Sequence, residues 1–195
     1  MQTRAALTAT LLVIAATSGC GSEPAPRTTG TPSAFSAEST SIPSGFTAAE
    51  CPATVNDKHA TLKLAVPTGF TPESTDPSDQ TPDGRCSWRS PDDLFFSVEV
   101  GEKESLGDLN DELKQYEDIG GDDEVKDVTY DAPTDAFGGM EGERLSWWTY
   151  SDGSPADCVD VQAGGVHLSW QNPEGTEQRL DDLDVVLESV ELVLS

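Results

Sequence analysis

The sequence predicts an α+β fold, in which an antiparallel sheet packs against two main helices. Several short segments alternate apolar and polar residues, as strands with one buried face do. Two longer segments carry apolar residues at helical spacing. The order along the chain is strand, hairpin, helix, several antiparallel strands and helix. We therefore predict one α+β domain over residues 47–195, about 150 residues, a length that supports a hydrophobic core.

The predicted strands are residues 61–66, 85–89, 94–100, 125–130, 144–150, 158–163 and 166–170. The pair Gly164-Gly165 between the last two strands favours a two-residue hairpin. Residues 71–84 are rich in Pro, Thr, Asp and Gly, so we predict a loop there. Residues 136–142 are predicted to form a loop or a bulged approach to the next strand.

Two segments are predicted as helices. The first begins at Ser105, with Asp108 three residues later as a variant of the capping box, and it ends at Gly120-Gly121. Its apolar stripe is Leu106, Leu109, Leu113 and Tyr116. The second helix covers residues 178–189, and its apolar side is predicted to be Leu180, Leu183, Leu187 and Val190. The tail 190–194 either finishes this helix or adds a short edge strand.

The first twenty residues have the pattern of an export signal. Arg4 gives a short positive region, residues 5–16 are uncharged and mostly apolar, and small residues lead to Cys20. We predict a lipoprotein signal peptide over residues 1–19. Ser18, Gly19 and Cys20 resemble the bacterial lipobox, although Thr17 stands where an aliphatic residue is usual. This resemblance implies that Cys20 carries the lipid; an ordinary cleaved signal is the alternative.

Residues 20–46 are predicted to be the lipidated cysteine followed by a disordered tether. Ser, Thr, Pro, Gly and Ala dominate this stretch, which lacks the apolar surface needed for folding. The expected location is therefore the cell membrane, where the domain faces outward and the lipid on Cys20 is the membrane partner. The formal net charge of −25 argues against nucleic acid as a partner, because phosphate binding requires a basic surface.

The cysteines fit an exported protein, in which disulfides persist. Cys51, Cys86 and Cys158 follow Cys20, and they allow one bond with one thiol left over. We prefer Cys51–Cys86, which would join the start of the domain to an early strand, with Cys158 unpaired. In the chain-entropy model this bond contributes about 4 kcal/mol.

We find no motif for catalysis. His59 and His167 lack zinc-site spacing, and no nucleophile elbow or phosphate-binding loop occurs. We therefore predict no metal, no cofactor and no enzymatic activity. The acidic cluster 122–124 lacks the alternation of a calcium loop. Asp181, Asp182 and Asp184 lie near the start of the last predicted helix, where acidic residues favour the helix dipole. A structural interpretation is therefore preferred for both clusters.

Adjacent tryptophans on one predicted strand are the most suggestive feature. Trp147 and Trp148 must point to opposite faces of the sheet, and Trp148 shares its face with Tyr150. If helices cover both faces, both tryptophans belong to the core. If one face is open, Trp148 and Tyr150 form a candidate binding surface.

The element order is similar to the PsbP-like α/β/α sandwich. The signal, the tether, Cys51-Pro52 and Cys86-Ser87-Trp88 resemble cell-envelope lipoproteins of actinobacteria. The resemblance covers roughly residues 49–195 and implies a fold and an envelope location, but no catalytic residue. We expect a non-enzymatic binding or interaction module for an envelope protein or a small ligand. A divalent-cation-binding protein and an envelope hydrolase are the alternatives.

Overall fold

A computed structural model of the protein describes residues 41–73, 84–102, 106–119, 125–151, 154–173 and 177–195. The predicted signal peptide, Cys20, the tether up to residue 40, Ser105, Gly120-Gly121 and the cluster 122–124 lie outside these ranges. The strands are β1 (Phe46–Val55), β2 (Lys58–Pro67), β3 (Thr71–Pro72), β4 (Arg85–Arg89), β5 (Phe95–Val100), β6 (Val125–Phe137), β7 (Met140–Ser151), β8 (Ser154–Ala163), β9 (Val166–Asn172) and β10 (Glu191–Leu194). The helices are α1 (Leu109–Ile119) and α2 (Glu177–Ser189).

Within the described residues the strands form two antiparallel sheets. The small sheet has the order β1-β2-β10, and the large sheet has the order β3-β4-β5-β9-β8-β7-β6. Helix α1 packs on β6 and β7, whereas α2 packs on β2 and on β6. The predicted α+β class with antiparallel pairing and two helices is confirmed, but the strands form two sheets where the sequence predicted one. Neither of these helices has the length and the hydropathy needed to cross a bilayer.

The hydrophobic core lies between the large sheet, the small sheet and α2. Its centre is an aromatic stack in which Phe96 lies between Trp88 and Trp170, with ring centroids 4.9 and 5.3 Å away. The predicted inward faces of β5, β8 and β9 are all buried in this core: Phe96, Val98, Val100, Val159, Val161, Ala163, Val166, Leu168 and Trp170. Alternation along these strands therefore identifies the core face correctly.

One disulfide joins the two sheets. Cys51 on β1 is bonded to Cys86 on β4 with an S–S distance of 2.06 Å, and this is the pair preferred from the sequence. Cys158 on β8 is a buried free thiol. The bond fixes the edge of the small sheet beside the large one, so it closes the same core that the aromatic stack fills.

Two-residue turns explain the hairpins. The pair Gly164-Gly165 has φ of 56° and 79° and joins β8 to β9, as predicted. Asn56-Asp57 likewise has φ of 52° and 61° and joins β1 to β2. Positive φ at both central residues is the type I′ geometry, whose twist matches that of paired strands. Asn and Asp tolerate this backbone region better than other non-glycine residues.

Strand β1 is absent from the sequence-based prediction. Its stretch of Thr, Ala and Glu residues with Pro52 has little strand preference, yet it pairs with β2 along its whole length. The inward residues Cys51, Ala53 and Val55 are buried, which compensates for the weak propensity. Pro52 is tolerated because β1 is an edge strand of the small sheet.

The first predicted helix is too long at its start. Gly107 has a φ of +86°, which interrupts any helix continuing from residue 105. Helix α1 begins at Leu109 instead, and Asp108 caps it: its Oδ1 accepts a hydrogen bond from the Asn110 amide at 3.0 Å.

The predicted loop at residues 136–142 is also wrong. Strand β6 continues to Phe137 and β7 begins at Met140, so the connection is the two-residue turn Gly138-Gly139. The alternative of a bulged strand agrees better with the structure, because the β6–β7 register shifts between Asp135 and Phe137.

Helix α2 covers the span predicted for it, but one residue of its predicted apolar side is exposed. Leu183, Leu187 and Val190 are buried, whereas Leu180 in the first turn is 40% exposed. Val186 takes the remaining buried position, so the buried stripe starts at the second turn. The tail forms strand β10, which pairs with β2 and was one of the two options left open.

Candidate functional site

Strand β7 places adjacent tryptophans on opposite faces of the large sheet. Trp147 points towards α1 and stacks on Tyr116, with ring centroids 4.9 Å apart and an angle of 28° between the planes. Trp148 points the other way together with Tyr150, and their centroids are 6.3 Å apart at 25°. Successive side chains of a β-strand point to opposite faces of the sheet, and this separates the two tryptophans. The structure therefore makes Trp147 a packing residue beneath α1 and leaves the Trp148 side to be considered as a surface.

The aromatic surface, defined here as Lys126, Trp148 and Tyr150, is partly open to solvent. Tyr150 is 49% exposed, and Trp148 is partly exposed. Lys126 lies opposite Trp148 on β6, and its Nζ is 3.9 Å from the centre of the indole ring, a cation–π contact. The neighbouring positions on β8 are Asp157 and the exposed Pro155. Aromatic rings with a polar rim are a typical composition for an interaction site.

A second group of functional side chains lies on the opposite face of the large sheet. We call it the polar layer, and its members are Glu112, Cys158, Asp160, Gln162 and His167. The last four alternate with core residues on β8 and β9, and Glu112 comes from α1. Asp160 is only 4% exposed and Gln162 only 7%. Buried polar side chains at these positions require partners, because burial without hydrogen bonds is unfavourable.

The polar layer contains an incompletely bonded histidine–carboxylate pair. His167 Nε2 is 3.7 Å from Asp160 Oδ1, and each atom is buried without a hydrogen-bond partner. The Gln162 side chain donates from Nε2 to the carbonyl oxygen of Gly107 at 3.3 Å, which ties β8 to the segment before α1. The arrangement places one ionisable imidazole among carboxylates in a mostly dehydrated layer.

The electrostatics of the layer follow from burial and from negative neighbours. Burial raises the pKa of Glu112, and the charge of Asp160 raises it further. For His167, burial lowers the pKa, but the negative charges of Asp160, Glu112 and Glu99 outweigh it, so the net pKa is above 6.5. Burial, with Asp160 and Asp157, raises the pKa of the Cys158 thiol to about 12. The layer thus favours a protonated imidazole and an inert thiol.

Two other groups that the sequence analysis considered, His59 and the second acidic cluster, lie outside the polar layer. His59 is an exposed residue of β2, distant in sequence and sheet from His167. In the second acidic cluster, Asp182 Oδ2 lies 3.9 Å from Arg179 Nη1, so an arginine is close to the oxygen that a cation would need. Across the described ranges, no group of three or more His, Cys, Asp or Glu side chains could hold a metal ion.

Sequence reasoning noted that His167 lacks zinc-site spacing but missed the layer that surrounds this residue. The signal was present in the alternation of β8, whose Cys158, Asp160 and Gln162 share the face opposite Val159 and Val161. A histidine on the same face of the paired strand β9 follows from the Gly164-Gly165 hairpin register. The contribution of Glu112 could not be inferred, because it depends on where α1 docks.

The structure thus defines a disulfide-linked, two-sheet α+β domain with a partly exposed aromatic surface. Cyanobacterial PsbP from Synechocystis is similar to it at 13% identity, with a TM-score of 0.39, covering 68% of this chain and 86% of that protein. LpqN of Mycobacterium tuberculosis, which is involved in cell envelope biogenesis, is similar at 15% identity and a TM-score of 0.38, covering 75% and 91%. No protein-family model and no curated protein matches the chain.

Proposed function

We propose that this protein is a lipid-anchored lipoprotein of the bacterial cell envelope, which faces outward and serves as a non-enzymatic binding module. The aromatic surface carries the proposal. Trp148 and Tyr150 lie side by side on β7 and are accessible, whereas the large aromatic residues at the centre of the same sheet face are buried. Large, rigid aromatic rings are the residues that most often dominate the binding energy of interfaces.

The proposed location rests on the N-terminal sequence and on the disulfide. The signal pattern ending at Cys20 provides export and an attachment point for lipid. The Cys51–Cys86 bond is of a kind that persists in oxidising compartments and is rare in the cytosol. A tether over residues 20–46 would hold the domain away from the membrane surface.

The non-enzymatic assignment is supported by the chemistry of the polar layer. A thiol with a pKa of about 12 supplies very little thiolate near neutral pH, so Cys158 is a poor nucleophile. His167 Nε2 makes no hydrogen bond to any described residue, so the nucleophile–base contact that covalent catalysis requires is missing at this atom. These features favour binding over hydrolysis as the role of the domain.

Lipid attachment is tested with Cys20→Ser. Cells that express the wild-type protein or this variant are labelled with a palmitate analogue and then fractionated. We expect the wild type to be labelled and to sediment with membranes, and the variant to be unlabelled and released. A labelled, membrane-bound Cys20→Ser protein would contradict the anchor.

Binding is tested by placing a photo-crosslinking amino acid at Tyr150 of the anchored protein in intact envelopes. The matched control carries the same amino acid at Leu180, an exposed apolar residue on α2. We expect a defined crosslinked product from position 150 that is absent from position 180 and lost when Trp148→Ala is added. Equal products from both positions, or products that Trp148→Ala leaves unchanged, would exclude the aromatic surface as the binding site.

A further inference from the structure

Whether His167 and Asp160 can form a hydrogen bond with each other depends on the protonation of the imidazole. When the imidazole is neutral and Nε2 carries a lone pair, this atom and the Asp160 carboxylate are both acceptors, and no hydrogen bond can form between them. The two atoms are 3.7 Å apart, and neither has a hydrogen-bond partner among the described residues. Protonation turns Nε2 into a charged donor, and Asp160 Oδ1 is the acceptor that lies before it.

We propose that protonation of His167 fastens α1 onto the large sheet, so that α1 covers the polar layer at mildly acidic pH and opens more readily as the pH rises. This inference concerns the face of β7 opposite the aromatic surface, and it does not depend on the proposed function.

The surroundings of His167 are strongly negative. The ionisable side chains that face it come from four elements: Glu99 on β5, Glu143 on β7, Cys158 and Asp160 on β8, and Glu112 and Tyr116 on α1. On this face, Arg85 lies opposite Glu99 on β4 and is exposed. The basic residue of α1, Lys114, is exposed and pairs with Asp111. Among the described residues, His167 is therefore the group that can place a buried positive charge between α1 and the sheet.

The charge of His167 is coupled to α1 through Glu112. This helix residue interacts electrostatically with both Asp160 and His167. When His167 is neutral, the carboxylates of Glu112 and Asp160 are left in a poorly hydrated space without a neighbouring cation, and they repel each other across the helix–sheet interface. When His167 is charged, it interacts favourably with both. Protonation therefore stabilises the docked position of α1.

The direction of the pH effect is the same for both titrating groups. The pKa of His167 is raised above 6.5, so its contribution is complete below that value and is lost as the pH rises through the folded-state pKa. The pKa of Glu112 is raised above 4.5, so the docked helix retains a proton that the open helix releases, and docking weakens as the pH rises above 4.5. Both groups therefore predict looser docking of α1 at higher pH.

Hydrogen exchange measured by mass spectrometry on the full chain tests the proposal. His167→Gln keeps a polar side chain but removes the charge, and His59→Gln, at an exposed position of β2, is the matched control, since the chain has two histidines. At about pH 5.5 we expect amides of residues 109–119 in His167→Gln to exchange about tenfold faster than in the wild type. At about pH 9 the ratio should approach one. His59→Gln should give a ratio near one at both values.

Comparing the proteins at the same pH cancels the intrinsic pH dependence of exchange. A ratio for His167→Gln that is the same at both pH values would mean that the glutamine only alters packing, and the proposal would fail. The same failure would follow if His59→Gln accelerated the α1 amides as much as His167→Gln does.

A measurement on the wild type keeps the proposal testable if His167→Gln does not fold. The two imidazole signals are followed by NMR over the same pH range and are assigned with His59→Gln. We expect the α1 amide signals to shift with the midpoint of the His167 titration, and Asp160→Asn to lower that midpoint. If His167 titrates while the α1 signals do not move, its charge does not control the docking of the helix.

Discussion

Opening the Cys51–Cys86 disulfide should remove a large share of the stability of this domain. The two cysteines are 35 residues apart in sequence, and they join an edge strand of the small sheet to β4 of the large sheet. In the chain-entropy model, a loop of this length restricts the unfolded chain by about 13 cal/mol/K, or about 4 kcal/mol at 25 °C. Because single domains are stable by about 5–15 kcal/mol, this loss is a quarter of the total or more.

The assay compares urea unfolding of the oxidised and the reduced wild type, followed by tryptophan fluorescence. Reduction keeps both sulfur atoms in place, so the measured difference reports loop closure with little change in packing. The control is the double variant Cys51→Ala with Cys86→Ala, in which the reductant should change nothing, although Cys158 is still present. This control separates the disulfide from any effect of the reductant on the remaining thiol.

A difference below about 1 kcal/mol between oxidised and reduced wild type would refute this reasoning. It would mean that the unfolded chain already holds β1 near β4, so that the bond restricts little. An unchanged denaturant slope in the two forms would point to the same explanation, because the slope reports the surface exposed on unfolding.

Further predictions concern packing and pH. Gly142→Ala should lower the free energy of unfolding by about 3 kcal/mol, since its new Cβ would collide with the carbonyl oxygen of Gln162; a urea titration measures the loss. Leu183→Ala should cost about 3 kcal/mol in the same assay because it leaves a cavity, whereas Leu180→Ala on the exposed first turn should cost far less. Glu112→Gln should reduce the fall in stability that the wild type shows as the pH rises above 4.5, because burial raises the pKa of this carboxyl; unfolding measured at several pH values checks the slope.

Alternation predicted the fold best where a strand is buried on one face and lies inside the large sheet. On β5, β8 and β9 the apolar residues recur at every second position, and each such position is in the core. The Gly164-Gly165 turn then sets the register between β8 and β9. For the same reason, the separation of Trp147 from Trp148 was predictable from the sequence.

Strand β1 shows where sequence reasoning is limited. Its residues have little strand preference, and its conformation depends on pairing with β2 and on the bond from Cys51 to β4. Only the Asn56-Asp57 turn signals a hairpin locally. The polar layer was still harder to predict from the sequence. The neighbours of His167 on β5 and α1 are determined by the order of strands in the sheet and by the docking of the helix, and neither has a local sequence signature.

The polar layer is difficult to explain by stability alone. On β8, Val159 and Val161 pack into the core, while Cys158, Asp160 and Gln162 alternate with them on the face towards α1. Apolar side chains on that face would bury equally well under the helix without the desolvation cost of a carboxylate. Burying an acid beside one histidine instead makes the docking of α1 depend on a proton. A helix held in this way is docked less stably than one on an apolar layer, but its docking responds to pH. This is consistent with a role for the layer beyond folding.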